Sequence, residues 1–205
     1  MDSFRIKQAE FVTSMVRPSD FPADRLPEIA FAGKSNVGKS SLINALANNR
    51  KLALISSKPG KTRFVNFFKI NGAFYLVDLP GYGFSRVSKA VKESWGKLVE
   101  GYLGGSDRLQ HLYLLVDIRH APTNDDRQMC EWLRHYQVPF TVIATKCDKI
   151  AKSKWSQYTR RIQKTLELDA GEKIFPVSAS ARIGCEQITL SIGEAVYGTE
   201  AEQSL

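Results

Sequence analysis

The sequence predicts an α/β fold, on three observations. The apolar pattern switches repeatedly between short continuous runs and helical spacing, the strand-length runs are apolar throughout, and a glycine-rich turn joins the first run to a helical stretch. Taken in order, IAFAG (Ile29 to Gly33) is a short buried strand and SSLINALAN after the turn is a helix. FVNFFKI and AFYLVDL, spanning Phe64 to Leu79, are separated by Asn71-Gly72, a dipeptide that favours a type I′ turn, so they pair as an antiparallel hairpin. HLYLLVDI from His111, PFTVIATK from Pro139 and the shorter KIFPVSA from Lys173 complete the strands. Val91, Trp95, Leu98, Val99 and Tyr102 share one helical face, as do Met129, Trp132, Leu133 and Tyr136, and these aromatics are expected in the core. Thr123 with Asp126 three residues on forms the N-terminal cap of the second of these helices. Ile188, Ile192 and Val196 mark a last helix. The expected sheet has about six strands, mixed and mostly parallel, with one antiparallel hairpin partner and helices on both faces.

At 205 residues the chain can bury one sizeable core, and a second domain would leave both small. One domain over 1–205 is expected, with a short N-terminal extension to about residue 25 and a polar tail from about 198. No apolar run is long enough to cross a bilayer, and the N-terminus has no continuous apolar stretch of the secretory type. Cys130, Cys147 and Cys185 are odd in number and lack CxxC spacing, which fits buried thiols in a reducing cytoplasm rather than zinc or disulfides. The 29 Lys and Arg exceed the 21 Asp and Glu, giving a net charge of +8, and such an excess attracts polyanions, of which RNA is the abundant cytoplasmic one. Neither a membrane nor DNA is expected as a partner, and a monomer is.

Four motifs carry chemistry. GKSNVGKS (Gly33, Lys34, Ser35, Asn36, Val37, Gly38, Lys39, Ser40), continuing into Ser41, satisfies GxxxxGKS at a strand-to-helix junction. There backbone N–H groups and the helix N-terminus curl around phosphate oxygens, Lys39 reaches the β- and γ-phosphates, and the Ser40 hydroxyl ligates Mg²⁺. Asp78-Leu79-Pro80-Gly81 closes a strand, placing the Asp78 carboxylate as an outer-shell Mg²⁺ partner and the Gly81 N–H toward the γ-phosphate. Thr145-Lys146-Cys147-Asp148 matches a guanine-recognition pattern with threonine in place of the usual asparagine. Asp148 can accept two hydrogen bonds from guanine, whereas adenine offers an acceptor and no amine there. Val177-Ser178-Ala179 follows the last strand and offers the Ala179 N–H to the guanine carbonyl.

Together the motifs occur in the order and spacing of the Ras-like P-loop GTPase fold. With SKPGKTR (Ser57 to Arg63) and DLPGYGF added, the chain resembles the EngB (YihA/YsxC) family of Era-like bacterial GTPases from about Phe21 to near the C-terminus. The resemblance implies GTP and GDP as ligands, a role in assembling the large ribosomal subunit with ribosomal particles or rRNA as partners, and in some bacteria a need in division septation. It also implies that Gly60, Lys61 and Thr62 meet the nucleotide, Thr62 completing the Mg²⁺ shell in the GTP state. Asn36 stands where several Era-like GTPases ligate K⁺.

Lys39, Thr62 and Gly81 are thus the expected catalytic residues, acting on a γ-phosphate that orders both switch segments and releases them on hydrolysis. Tyr82 follows Gly81 where many signalling GTPases carry glutamine. Tyrosine cannot orient the attacking water in the same way, so it is assigned no proton transfer or water orientation, and intrinsic turnover is expected to be slow. Basic residues cluster at Lys149, Lys152, Lys154, Arg160, Arg161 and Lys164, with Lys89, Lys92 and Lys97 earlier, consistent with RNA contact. A rival reading is a GTP-dependent signalling adaptor that binds a protein effector and never touches RNA. An ATP-dependent kinase is disfavoured because Asp148 would face the wrong base.

Overall fold

The computed structural model describes residues 4–17, 20–53, 64–83, 89–169 and 171–198. Seven strands form one sheet in the order β1-β3-β4-β2-β5-β6-β7. They are β1 (Ala9–Met15), β2 (Glu28–Gly33), β3 (Val65–Ile70), β4 (Phe74–Asp78), β5 (Leu109–Asp117), β6 (Phe140–Thr145) and β7 (Ile174–Pro176). β3 is antiparallel to both neighbours, β1 and β4, and all other pairs are parallel. The helices are α1 (Lys39–Leu46), α2 (Lys89–Gly105), α3 (Asn124–His135), α4 (Trp155–Leu166) and α5 (Cys185–Tyr197).

The sheet separates two cores. On one face Leu42 and Ile43 of α1 and Ile188 and Ile192 of α5 pack on Ile29, Phe31 and Leu76. On the other, Val99 and Tyr102 of α2, Met129 and Leu133 of α3, and Ile162 and Leu166 of α4 pack on Ala30, Ala32 and Val77. Successive residues of β2 therefore point to opposite cores, which is why the strand is apolar without alternation from Ile29 onward and buried from end to end. The hairpin forms as the dipeptide dictates: Asn71 and Gly72 have φ of 51° and 68°, and the Ala73 N–H donates to the Ile70 carbonyl at 2.9 Å.

Six strands coincide with the expected runs. The seventh, β1, comes from the segment expected to be a mere extension. Its alternation is broken by a bulge between Phe11 and Thr13, and it lies at the sheet edge with Phe11 and Val12 exposed, so it carries no clear strand period. The preceding residues are also integrated: Phe4 sits between the rings of Phe74 and Tyr197, at 6.0 and 5.8 Å, and touches α5 at Gly193. α4 was visible in the sequence only as a basic cluster.

At the amino end of β2, opposite the loops that carry the motifs, Glu28 is fully buried. Its Oε2 accepts hydrogen bonds from the Tyr102 and Ser106 hydroxyls, both at 2.8 Å, while Oε1 has no partner among the described residues. Burial pushes this carboxyl above its ordinary value, against the lowering effect of those two donors. The folded protein then holds the Glu28 proton more tightly than the unfolded chain. Its contribution to stability is complete below the unfolded value, about pH 4, and is lost as pH rises through the folded one. Glu28→Gln should remove this dependence. In urea unfolding across an acid-to-neutral pH series, the stability of the variant relative to wild type should rise with pH; a constant difference would show that Glu28 titrates normally.

Candidate functional site

All of the motif residues within the described segments gather at the carboxyl ends of β2, β4, β6 and β7, where ligands bind in open α/β sheets. The phosphate loop runs from Gly33, at the end of β2, into α1. Gly38 has φ of 111°, a conformation that suits glycine, and it caps α1 with no side-chain hydrogen bond. α1 has no acidic residue in its first turn, which includes Ser40 and Ser41. Its amino-terminal N–H groups therefore point into the site with no side chain of the helix to satisfy them. α3 shows the contrast, since there the Asp126 carboxylate accepts from the Thr123 N–H and hydroxyl, both at 2.7 Å, as its capping pattern predicts.

Asp78 closes β4 beside this loop. It is 2% exposed and paired directly with the Lys39 ammonium, itself 7% exposed. The chain continues through Leu79, whose N–H bonds to the Phe31 carbonyl at 3.0 Å, to Pro80 and Gly81. Gly81 lies flat on the phosphate loop, where a Cβ would stand 3.1 Å from the Ser35 nitrogen. Tyr82 then pairs with the loop, accepting from the Ser35 N–H at 2.9 Å. Its side chain is 3% exposed and donates to Asp126 Oδ1 at 2.8 Å.

The second half of the site is built on β6 and β7. The Thr145 hydroxyl lies 2.8 Å from the Val37 carbonyl and 3.1 Å from that of Val116, so this residue ties the guanine-type loop to the phosphate loop. Lys146 has φ of 60° and directs its ammonium to the Asn36 carbonyl at 2.8 Å and to Asp117 at 3.1 Å. Cys147 is buried and its N–H bonds to the Val177 carbonyl at 3.2 Å, while the Val177 N–H bonds to Ala144 at 2.9 Å. These bonds hold Asp148 and the Ser178-Ala179 loop side by side. The Ser178 hydroxyl and the Lys149 ammonium, 3.0 Å away, keep the Asp148 carboxyl below its usual value, so it stands ionised as a pure acceptor.

Asn36, with φ of 63°, exposes its side chain, and its amide has no hydrogen bond among the described residues. Gly60, Lys61 and Thr62 lie outside the described residues. Asp117 was not singled out from sequence. Burial raises its carboxyl, but hydrogen bonds from Arg119 and Lys146 outweigh that and hold it far below the usual range. An aspartate ending an apolar strand, as Asp78 does, was the signal that could have found it. A cavity of about 300 Å³ adjoins the site, between Lys34 to Val37 and the segment from Asp117 to Asp126. It touches the phosphate loop and not Asp148, so it is an annex rather than the cleft on which the motifs converge.

Mg²⁺ favours hard oxygen ligands and keeps several waters, needing one or two protein oxygens rather than a cage. The Ser40 hydroxyl and the Asp78 carboxylate fit that demand, and among the described residues no cluster of His, Cys, Asp and Glu suits a dedicated metal cage.

The sequence matches the family model described as 50S ribosome-binding GTPase over residues 28–146. The probable GTP-binding protein EngB of Clostridium kluyveri is 51% identical over 191 residues, covering 93% of this chain and 96% of that one. Its counterpart in Clostridioides difficile is 47% identical, covering 90% and 91%. Among solved structures, a probable GTP-binding protein EngB superposes with a TM-score of 0.73 at 26% identity, covering 84% of this chain and all of the other. Era in complex with MgGDPNP and a segment of 16S ribosomal RNA shares the fold, with a TM-score of 0.66 at 22% identity over 85% of this chain and 58% of that one. The chain belongs to the EngB family of P-loop GTPases.

Proposed function

We propose that the cleft holds GTP with Mg²⁺, that hydrolysis is slow, and that the bound nucleotide switches the protein's attachment to large ribosomal subunit particles during their assembly. The same reading extends to a need for the protein in normal division septation. The observation that carries the nucleotide reading is the pair of bonds from Thr145 to Val37 and from Lys146 to Asn36. They fix the distance between a phosphate-binding loop and an ionised guanine acceptor. The α1 amides with Lys39 take the phosphates, Asp148 and the Ala179 N–H take the base, and the Lys146 stem lies alongside it. Ser40, Asp78 in the outer shell and Thr62 would hold Mg²⁺, which when bound supplies charge neutralisation between the β- and γ-phosphates. Gly81 offers its N–H to the γ-phosphate. With the Tyr82 hydroxyl buried on Asp126, the Pro80-to-Gly83 segment offers no free polar side chain to orient a water, which supports slow intrinsic turnover.

The ribosomal half of the reading draws on the family and on α4. From Lys149 to Leu166 there are six Lys and Arg and no acidic residue. Lys152, Lys154, Arg160 and Lys164 are exposed and make no ion pair among the described residues. Arg160 and Lys164 lie four apart on one helix face, as phosphate-binding side chains do. Arg161 instead donates to the Ile118 carbonyl at 3.2 Å and covers the Tyr158 ring.

Asp148→Asn should weaken GTP binding on the order of a hundredfold and shift preference to xanthine nucleotides, because the amide donates where guanine also donates and xanthine presents a carbonyl. Nucleotide competition measures this, and a variant with full guanine preference would refute the assignment. Co-sedimentation with purified large subunits should depend steeply on salt in the presence of a non-hydrolysable GTP analogue. The double variant Arg160→Glu, Lys164→Glu should lower the slope of log affinity against log salt by about 2. No co-sedimentation by wild type would favour a protein effector instead.

Asn36 supports a potassium effect, since its unpartnered amide stands in the phosphate loop. A monovalent cation held there would screen charge developing between the β- and γ-phosphates. Single-turnover hydrolysis should be faster in potassium than in sodium or caesium chloride at matched ionic strength, on the order of tenfold, and Asn36→Ala should abolish the difference. Equal wild-type rates in all three salts would remove the idea.

A further inference from the structure

We infer that Asp126, at the start of α3, is a positioning residue for hydrolysis: through Tyr82 it holds the Gly81 backbone against the phosphate loop. The inference rests on the GTPase reading and adds to it a specific hold on the γ-phosphate donor. Glycine has the freest backbone of any residue, and Gly81 has no side chain with which to anchor itself. Its two neighbours are anchored instead. The Trp95 indole N–H of α2 donates to the Pro80 carbonyl at 2.9 Å, and the Tyr82 hydroxyl donates to Asp126 at 2.8 Å. The Tyr82 ring packs edge-on against Trp95, centroids 5.5 Å apart, and Trp95 stacks on Trp132 of α3 at 5.9 Å and 19°.

On the opposite side, the Tyr82 backbone pairs with Gly33 and Ser35 of the phosphate loop, its N–H to Gly33 at 3.4 Å and its carbonyl from Ser35 at 2.9 Å. One residue therefore bonds the phosphate loop through its backbone and α3 through its side chain. Asp126 serves both ends of that arrangement, since its Oδ1 takes Tyr82 while its Oδ2 caps α3 through Thr123. A phenylalanine would fill the same space and bury the same ring. The hydroxyl and its buried carboxylate add direction, and a directional bond is what a polar group in a core supplies that packing does not.

The test compares Tyr82→Phe, Asp126→Asn and the double variant with wild type. Asparagine keeps an oxygen for the α3 cap, and phenylalanine keeps the ring, so both are expected to fold. Saturating single-turnover hydrolysis should fall about tenfold in each single variant, a barrier change of about 1.4 kcal/mol, with little further loss in the double. Affinity for a non-hydrolysable GTP analogue should fall several-fold while GDP affinity stays within twofold of wild type, because only the triphosphate meets Gly81. Loss of analogue and GDP affinity in parallel, together with a lower Tm, would show a purely structural contact and overturn the inference. So would wild-type hydrolysis rates in both single variants. Wild-type protein that binds no guanine nucleotide would overturn the GTPase reading and this inference with it, whereas normal wild-type turnover with unaffected variants overturns the inference alone.

Discussion

The buried pair between Lys39 and Asp78 is the contact around which the site is arranged. Removing two ions from water costs several kcal/mol each, and their attraction repays that only with good geometry and further bonds. Stability alone is a weak reason to retain such a pair. Its placement gives a better one: Lys39 opens α1 and Asp78 closes β4, so the pair clasps the phosphate loop to the segment carrying Gly81. In the proposed complex a phosphate chain presents an anion to the lysine, and its magnesium presents a cation to the aspartate. Both buried charges would exchange partners at once, and neither would be left uncompensated.

The parallel sheet makes that clasp possible. Because β2, β4, β5, β6 and β7 run the same way, their carboxyl ends bring residues far apart in sequence within one bond of each other. Thr145 reaches Val37, and Lys146 reaches both Asn36 and Asp117. The substitution of threonine for the usual asparagine is intelligible in these terms. What the position must supply is one donor aimed at the phosphate loop, and a hydroxyl that is 5% exposed supplies it. In the proposed complex the base is left to Asp148 and the loop at Ala179.

The extent to which this was legible in the sequence follows from how local each signal is. The phosphate loop, the Asn71-Gly72 hairpin and the Thr123 cap are each set by residues within a few positions of one another, and all stand where their patterns put them. β1 was missed because its partner strand lies distant in sequence, Ala9 pairing with Ile70 and Met15 with Val65, and its own alternation is interrupted by a bulge. The six cations between Lys149 and Lys164 drew attention to charge, which concealed the apolar stripe of Ile162 and Leu166 that makes α4 a packed helix. Asp117 and Asp126 were missed as site residues for a related reason. Each acts through partners, Lys146 and Tyr82, that only the fold brings near, and Asp126 was already accounted for as a capping residue.

Those two aspartates also show how the site is attached to the rest of the molecule. The residues flanking Gly81 are bonded to α2 and α3, through Trp95 and Asp126. The Thr145-to-Asp148 loop is bonded to α4, where the Trp155 indole donates to the Cys147 carbonyl at 3.2 Å, and Arg161 of the same helix holds the Ile118 carbonyl just beyond β5. α2, α3 and α4 occupy one face of the sheet, while α1 and α5 pack on the other. A displacement of Pro80 or Tyr82 therefore loads the α2–α3 layer directly, and among the described residues no hydrogen bond joins either of them to α5. Close-packed layers transmit such shifts rather than absorb them. The face whose helices contact both halves of the cleft is also the one that carries the exposed cations of α4, so a nucleotide-dependent change in the cleft and a salt-dependent grip on an anionic partner would share the same layer.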